Sequence, residues 1–387
     1  MIRLSKYILL FCLITLNTAL SEFDFNLSGY IFTLPIYQRL DNSALLLTQG
    51  TEINKDIYIG IAKLRLKPVL NLWNDARLEA ATETLIEISK FKNPLFTDNE
   101  YYSRQAFDAD FTIFNEGSIN ITQSIDRLFF KQTFDDFELT LGRQRVNWGV
   151  GRIWQPTDLL HPVNPANYAK IEKTGADALS MKYFIGNFSD IEIVANFRSA
   201  FKNNNYAIRI RTNVSPYDFS GIFGYFGNEP VIGFDFTGNL FDAGIRAEGI
   251  YISNTNEEEP GFVRLIAGAD YQFSKDLYAL VEFQYNGEGT NCKYCYDLTK
   301  LIQGKVINLG MYYIALMVNY QIHPLITITG NYMQNTNDYS GYFQAILNYS
   351  AGDNITIGGA GMLPFGYKFS EYRYYPKSFY LITQLFF

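Results

Sequence analysis

The chain is poor in cysteine, histidine and charge. Of its 387 residues only three are cysteine and two are histidine, and 18% are charged. So few cysteines exclude a small disulfide-built scaffold. Two histidines leave little for histidine-based metal centres or acid–base catalysis. Basic residues number 32 against 39 acidic ones, so a basic nucleic-acid surface is excluded by the net charge of −7. After the N-terminus, no stretch approaches the ~18 consecutive apolar residues of a membrane-spanning helix.

Aromatic residues are abundant instead. The chain has 29 Tyr and 32 Phe, and 48% of its residues are hydrophobic. A disordered chain lacks such residues. With a mean hydropathy near zero, they imply strands that are apolar on one face and polar on the other. That is the profile of a transmembrane β-barrel.

The N-terminus sets the compartment. Arg3 and Lys6 precede a compact apolar run, Tyr7 to Leu16, and Ala19-Leu20-Ser21 supplies small residues where a signal peptidase reads. Residues 1–21 read as a secretory signal peptide, leaving 22–387 as a single barrel domain. The alternative is an N-terminal anchor, for which the run is shorter than the ~20 residues needed.

Period-2 alternation recurs along most of the mature chain. Leu277, Ala279, Val281, Phe283 and Tyr285 oppose Glu282 and Gln284; Ile208 and Ile210 oppose Arg209 and Arg211. Ala243, Ile245, Ala247 and Tyr251 oppose Arg246 and Glu248, while Ile191 and Ile193 oppose Glu192. Strands are expected near 25–36, 58–72, 76–88, 119–133, 137–148, 176–186, 191–199, 205–214, 219–227, 230–237, 241–252, 262–273, 277–286, 306–322, 325–334, 341–350, 354–363 and 377–387. That is about 18 antiparallel strands, with 16 as the lower reading, an even number as bacterial barrels have. Residues 89–118 read as a loop, within which Ala106–Phe114 also admits a strand.

The connections alternate in length. Short turn signals fall at 134–136, 187–190, 215–218, 238–239, 274–276, 323–324 and 351–353. Longer connectors fall at 149–175, 199–205, 253–261, 286–305, 335–340 and 364–376. Short periplasmic turns and long extracellular loops are the outer-membrane pattern, and a soluble sandwich has no reason to keep it. The chain ends on alternating Phe379, Leu381, Thr383, Leu385 and Phe387. This resembles the assembly signature of bacterial outer-membrane proteins, which implies Phe387 as a signal to the barrel-assembly machinery.

The most distinctive stretch runs from Leu141 to Tyr168. Its Gly142-Arg143-Gln144-Arg145, Asn147-Trp148-Gly149, Pro156-Thr157-Asp158 and Asn164-Pro165 resemble a segment of porin-like barrels, including the group similar to alginate-export channels. The resemblance covers about thirty of the chain's residues. It implies an outer-membrane channel, and a third long loop, here 149–175, folded inward to narrow it.

The residues give that region its own interest. Strict alternation puts Leu139 and Leu141 on one face with Arg143 and Arg145. An arginine facing lipid at mid-membrane costs about 2–4 kcal/mol. Either a bulge at Gly142 turns both arginines inward as a cationic rung, the preferred reading, or both lie beyond the hydrocarbon against headgroup or lipopolysaccharide phosphate. Arg152, Trp154, Asp158 and His161 follow in a loop stiffened by Pro156, Pro162 and Pro165. They are candidates for the constriction; the alternative is a plain surface loop. Arg209, Arg211, Arg246 and Glu248 are further pore-lining candidates, and such mixed charges set up a transverse field. Basic residues lead among the inward charges, which favours small polar or anionic solutes crossing passively.

Cys292-Lys293-Tyr294-Cys295 lies in a long loop. No second pair completes a zinc site, so a loop-stiffening disulfide is expected in an oxidising compartment. No catalytic site, metal or cofactor is expected: His161 and His323 are the only imidazoles, and neither has a nucleophile motif near it. The expected partners are outer-membrane lipid and lipopolysaccharide, small solutes, and a homotrimer or a periplasmic protein; no nucleic acid is among them. Two other functions stay open. One is a dedicated export conduit, for a polysaccharide for example, with a partner. The other is a surface-binding structural barrel.

Overall fold

The computed structural model describes residues 24–41, 55–73, 75–89, 104–161, 172–254, 260–293, 295–298 and 306–387. The expected signal peptide and residues 162–171 of the long loop lie outside them. In chain order the strands are β1 (Asp24–Arg39), β2 (Asp56–Asn71), β3 (Ala76–Ser89), β4 (Asp110–Glu116), β5 (Ile119–Phe134), β6 (Phe137–Gln144), β7 (Ala176–Ile185), β8 (Ser189–Asn196), β9 (Asn205–Val214), β10 (Tyr217–Phe226), β11 (Glu229–Leu240), β12 (Ala243–Ile252), β13 (Phe262–Ser274), β14 (Leu277–Asn286), β15 (Tyr312–His323), β16 (Ile326–Asn335), β17 (Gly341–Gly352), β18 (Ile355–Phe365) and β19 (Lys377–Phe386).

Every wall pairing is antiparallel, and β1 pairs with both β2 and β19, closing the sheet on itself. Because β3 pairs directly with β5, the wall has 18 strands and β4 stands outside the count. β4 pairs only with the first residues of β5, Ile119 to Ser124. All 18 strands expected from the sequence are present. The alternative strand at 106–114 appears as β4, an addition to the wall that does not change its parity.

Alternation explains which face is which. In β14, Phe283 faces out and is exposed and Tyr285 faces out half-buried, while Glu282 and Gln284 face in and are buried. In β17, Phe343, Leu347 and Tyr349 are exposed on the outer face. Aromatic side chains gather near both ends of the strands. Tyr217 stacks on Phe236 toward the turn end, and Tyr332 meets Phe343 toward the loop end. Apolar side chains between two aromatic girdles are the outer surface of a barrel suited to hydrocarbon.

The turns differ in detail from the sequence reading. The connection expected at 238–239 is strand, and the turn falls at Phe241-Asp242, with Phe241 at φ 54°. On the opposite end, β10 and β11 are joined by the two-residue turn Gly227-Asn228, so not every connection there is long. The strand expected at 137–148 stops at Gln144. The ends of the chain meet where the barrel closes. Gly29 and Phe387 exchange two backbone hydrogen bonds, of 2.9 and 3.1 Å. A Cβ on Gly29 would stand 2.7 Å from the Phe387 ring, so only glycine leaves that ring its place.

Candidate functional site

After Gln144 the chain leaves the wall and crosses the barrel interior as a strap, residues 145–161. It springs from β6 and is caught by β12 and β14, six and eight places further round the ring of 18. The catch consists of two inward carboxylates, both fully buried. Glu248 Oε2 accepts the N–H groups of Val150 (2.7 Å) and Gly151 (3.0 Å). Its Oε1 accepts the N–H (2.6 Å) and the hydroxyl (2.7 Å) of Thr157. Glu282 accepts the N–H groups of Arg152 (2.9 Å), Ile153 (3.2 Å) and Trp154 (2.8 Å). An irregular segment inside a barrel has no ladder to satisfy its N–H groups. Here two wall carboxylates take that role, with charge-assisted bonds.

Other wall residues hold the strap's ends. Trp148 donates its indole N–H to Glu192 of β8 at 2.9 Å. Val146 and Trp148 pack into a buried cluster with Val194, Ile222 and Ile250. Trp154 packs with Tyr313, Met333 and Met362, its ring centroid 6.1 Å from that of Tyr313. His161 is buried, and burial lowers its pKa to about 3. Its Nε2 accepts the Val146 N–H at 3.0 Å, which leaves Nδ1–H to donate to the Thr174 carbonyl at 2.6 Å. Both imidazole nitrogens are thus engaged in holding the strap.

The strap separates two cavities. One, about 510 Å³, lies toward the turn end, and the other, about 290 Å³, toward the loop end. Arg145 lines both. In the turn-side cavity seven cationic side chains face four carboxylates. Most are paired: Arg65 bridges Asp126, Glu83 and Glu172, and Lys67 reaches Glu172 at 2.6 Å. Arg145 is different. It is exposed to the interior, and its polar contact among the described residues is Asn147 Oδ1 at 3.0 Å. The side chain of Arg152, on the loop side, is also exposed and has no carboxylate partner among the described residues. Asp158 pairs with Lys173 and also receives the His161 N–H. Burial is the larger influence on its carboxyl and raises its pKa to about 6.

The remaining candidates take several positions. Arg209 reaches Asp235 at 3.3 Å, Arg211 reaches Asp190 at 2.6 Å, and Arg246 is paired with Asp270. These are wall cations with partners. Trp154 is buried beneath the loop-side cavity it lines. Cys292 and Cys295 are joined, with their Cα atoms 5.2 Å apart, in the loop after β14. His323 is the last residue of β15, at the turn, and accepts the Leu325 N–H.

Arg143 requires a correction. The inward turn expected from a bulge at Gly142 is absent: the register from Leu128↔Arg143 to Phe130↔Leu141 is unbroken. Gly142 has φ 122°, and a Cβ there would stand 2.3 Å from the Leu128 carbonyl, yet no residue is inserted. The register shift lies instead in β5, where Asp126 is the extra residue opposite Ala81 and Thr82. Arg143 therefore shares a face with the outward Leu128 and Leu141, away from both interior cavities. Neither lipid nor headgroup takes its charge. Asp177 binds it through two contacts of 2.8 and 3.0 Å, and the carbonyls of Ile125 and Phe107 accept its other N–H groups.

The far wall is chemically different. Among residues 312–386 of strands β15 to β19, Lys377 at the loop end is the one Lys, Arg, Asp or Glu. Amides and hydroxyls face the interior there. Asn319 donates to Thr329, Asn331 to Gln344, and Gln344 to Tyr380, at 2.8–2.9 Å. The lumen thus has a charged side and a neutral polar side. A buried loop-end cluster around Glu371 was not legible beforehand. Its carboxyl accepts from the Leu309 N–H, Tyr313 and Asn335 at 2.6–2.8 Å, and burial raises its pKa to about 7.

No protein-family model matches the chain. No curated protein matches it in sequence. Solved structures do resemble it. OccAB4 of Acinetobacter baumannii superimposes with a TM-score of 0.57 at 10% identity, over 94% of this chain and 98% of that one. An engineered variant of the Rhodopseudomonas blastica porin gives 0.49 at 12% identity, over 94% and 100%. The first of these likenesses shows a shared barrel fold.

Proposed function

We propose that the protein is a channel of the bacterial outer membrane through which small polar solutes pass passively, anions in preference to cations. Barrels of about 16–18 strands enclose an aqueous passage. Without the strap, such a passage would be wide and poorly selective. With it, a solute must travel beside residues 145–161 and past Arg145.

The single observation that carries the anion preference is the state of Arg145. It lines the cavities on both sides of the strap, and no carboxylate among the described residues forms an ion pair with it; Asp158, whose charge it feels, is already paired with Lys173. Arg152 adds a second uncompensated guanidinium on the loop side. A cation fixed in a narrow, low-dielectric passage concentrates anions there. The neutral wall of β15 to β19 leaves the resulting field unopposed from across the lumen.

The test is the conductance of the refolded protein in a planar bilayer. Stable single-channel steps are expected. A folded barrel that passes no current would contradict this reading and favour a conduit that opens only with a partner. Trimer formation, and Phe387 as the assembly signal, belong to the same proposal. Both are checked by native-gel migration of the wild type and of Phe387→Ala in outer-membrane extracts.

A further inference from the structure

The wall has a break where the strap begins. β5 is 16 residues long but β6 only eight, so β6 pairs with β5 only from Leu128 to Phe134. Beyond that point β4 continues along β5, and no strand pairing joins β4 to β7 among the described residues. Residues 104–109, which are not strand, span the gap. They are tied to the far side by three bonds: Asp177 N–H to the Arg104 carbonyl (3.0 Å), Ala106 N–H to the Asp177 carboxylate (2.7 Å), and the Asn196 amide to the Arg104 carbonyl (2.7 Å). The Arg143 guanidinium fills the break, with the Phe107 ring 4.7 Å away.

Outside this seam lies a hollow of about 420 Å³ on the outer face. Ala106, Phe107, Ile125, Leu128, Leu141 and Phe197 line it. Phe107, Leu128, Leu141 and Phe197 are exposed, so the hollow is continuous with the apolar outer surface of the barrel. Its two charged residues, Arg143 and Asp177, neutralise each other, and the guanidinium's other N–H groups are bound to carbonyls. Water entering such a hollow finds few polar groups to bond. Left empty, the lining would forfeit its dispersion contacts.

We propose that this hollow is a lipid site: one acyl chain of a surrounding membrane lipid lies in it and completes the wall where β6 leaves. The proposal rests on the reading of the protein as a membrane-embedded barrel. The occupant follows from continuity, since the hollow opens onto the same surface that the hydrocarbon covers. An unbranched chain can follow a recess between strands that a neighbouring barrel, with its convex wall, cannot enter.

Native mass spectrometry of the full-length protein, extracted from outer membranes in mild detergent, tests it. The wild type is expected to keep one lipid per barrel. Ala106→Phe and Leu141→Trp, two independent fillings of the hollow, are each expected to lower that occupancy at least tenfold. Absence of retained lipid in the wild type would overturn the proposal, whatever the variants do. So would equal retention in a folded filled variant, retention of detergent alone, or an oligomer that dissociates when the hollow is filled. Conductance of the same samples separates the two readings. A barrel that conducts but keeps no lipid refutes the site alone, and one that keeps lipid but never conducts refutes the channel alone.

Discussion

Glu248 and Thr157 lie 91 residues apart in sequence, yet one carboxylate oxygen accepts both the N–H and the hydroxyl of that threonine. The bond joins the wall to the strap. With Glu282 it makes the strap a fixed part of the barrel, held by seven donors on two carboxylates.

Replacing Glu248 by Gln keeps the shape but offers an NH2 group where an acceptor is needed. Bonds to a charged acceptor contribute about 1.5–3 kcal/mol each. Glu248→Gln is expected to free the strap from β12 and raise single-channel conductance, with added current noise. The double variant Glu248→Gln/Glu282→Gln is expected to raise it further. Unchanged conductance in the folded double variant would show that the strap is held by packing alone.

Asp158 gives the strap a pH dependence. Its pKa is raised to about 6 by burial, above the 3.8 of a free aspartate. A raised carboxyl pKa means that folding favours the protonated form, so this group's contribution to stability falls as pH rises from about 4 through 6. As pH drops below 6, Asp158 loses its charge and Lys173 keeps only the neutral Gln155 as partner. Reversal potentials measured at pH 7.5 and 5 are expected to shift toward stronger anion preference at the lower pH. Asp158→Asn is expected to show the stronger preference at both.

Arg143→Ala is expected to destabilise the barrel by about 3–5 kcal/mol, because it leaves Asp177 charged and buried without its partner. Replacing both residues by apolar ones, as Arg143→Met/Asp177→Leu, is expected to cost much less. Denaturant unfolding in lipid vesicles checks the order. Ion selectivity is expected to stay as in the wild type, since Arg143 faces neither cavity. A change in selectivity would return Arg143 to the lumen.

The strands were legible because each must be apolar outward and polar inward, and period-2 alternation records that constraint. The strap was legible only in outline. Its prolines and its length marked 149–175, but the strand before it ends earlier, at Gln144, because Val146 and Trp148 pack inside the barrel with β8 and β12. The roles of the charges were not legible. Glu248 in an alternating strand reads as a pore-wall charge, and nothing local says that a distant loop brings its N–H groups to it. Arg143 was misplaced for a related reason. Its partner Asp177 is 34 residues away, and a charged pair sealed within the wall leaves no periodic trace. Glu371 sits in a loop among tyrosines, where no pattern marks a buried acceptor.

The most direct test of the account is the reversal potential in a KCl gradient, wild type against Arg145→Ala. An anion-selective wild type is expected, with Arg145→Ala losing most of that selectivity while its conductance stays equal or rises. A cation-selective wild type, or an Arg145→Ala channel with unchanged selectivity, would contradict the claim that this arginine sets what passes the strap.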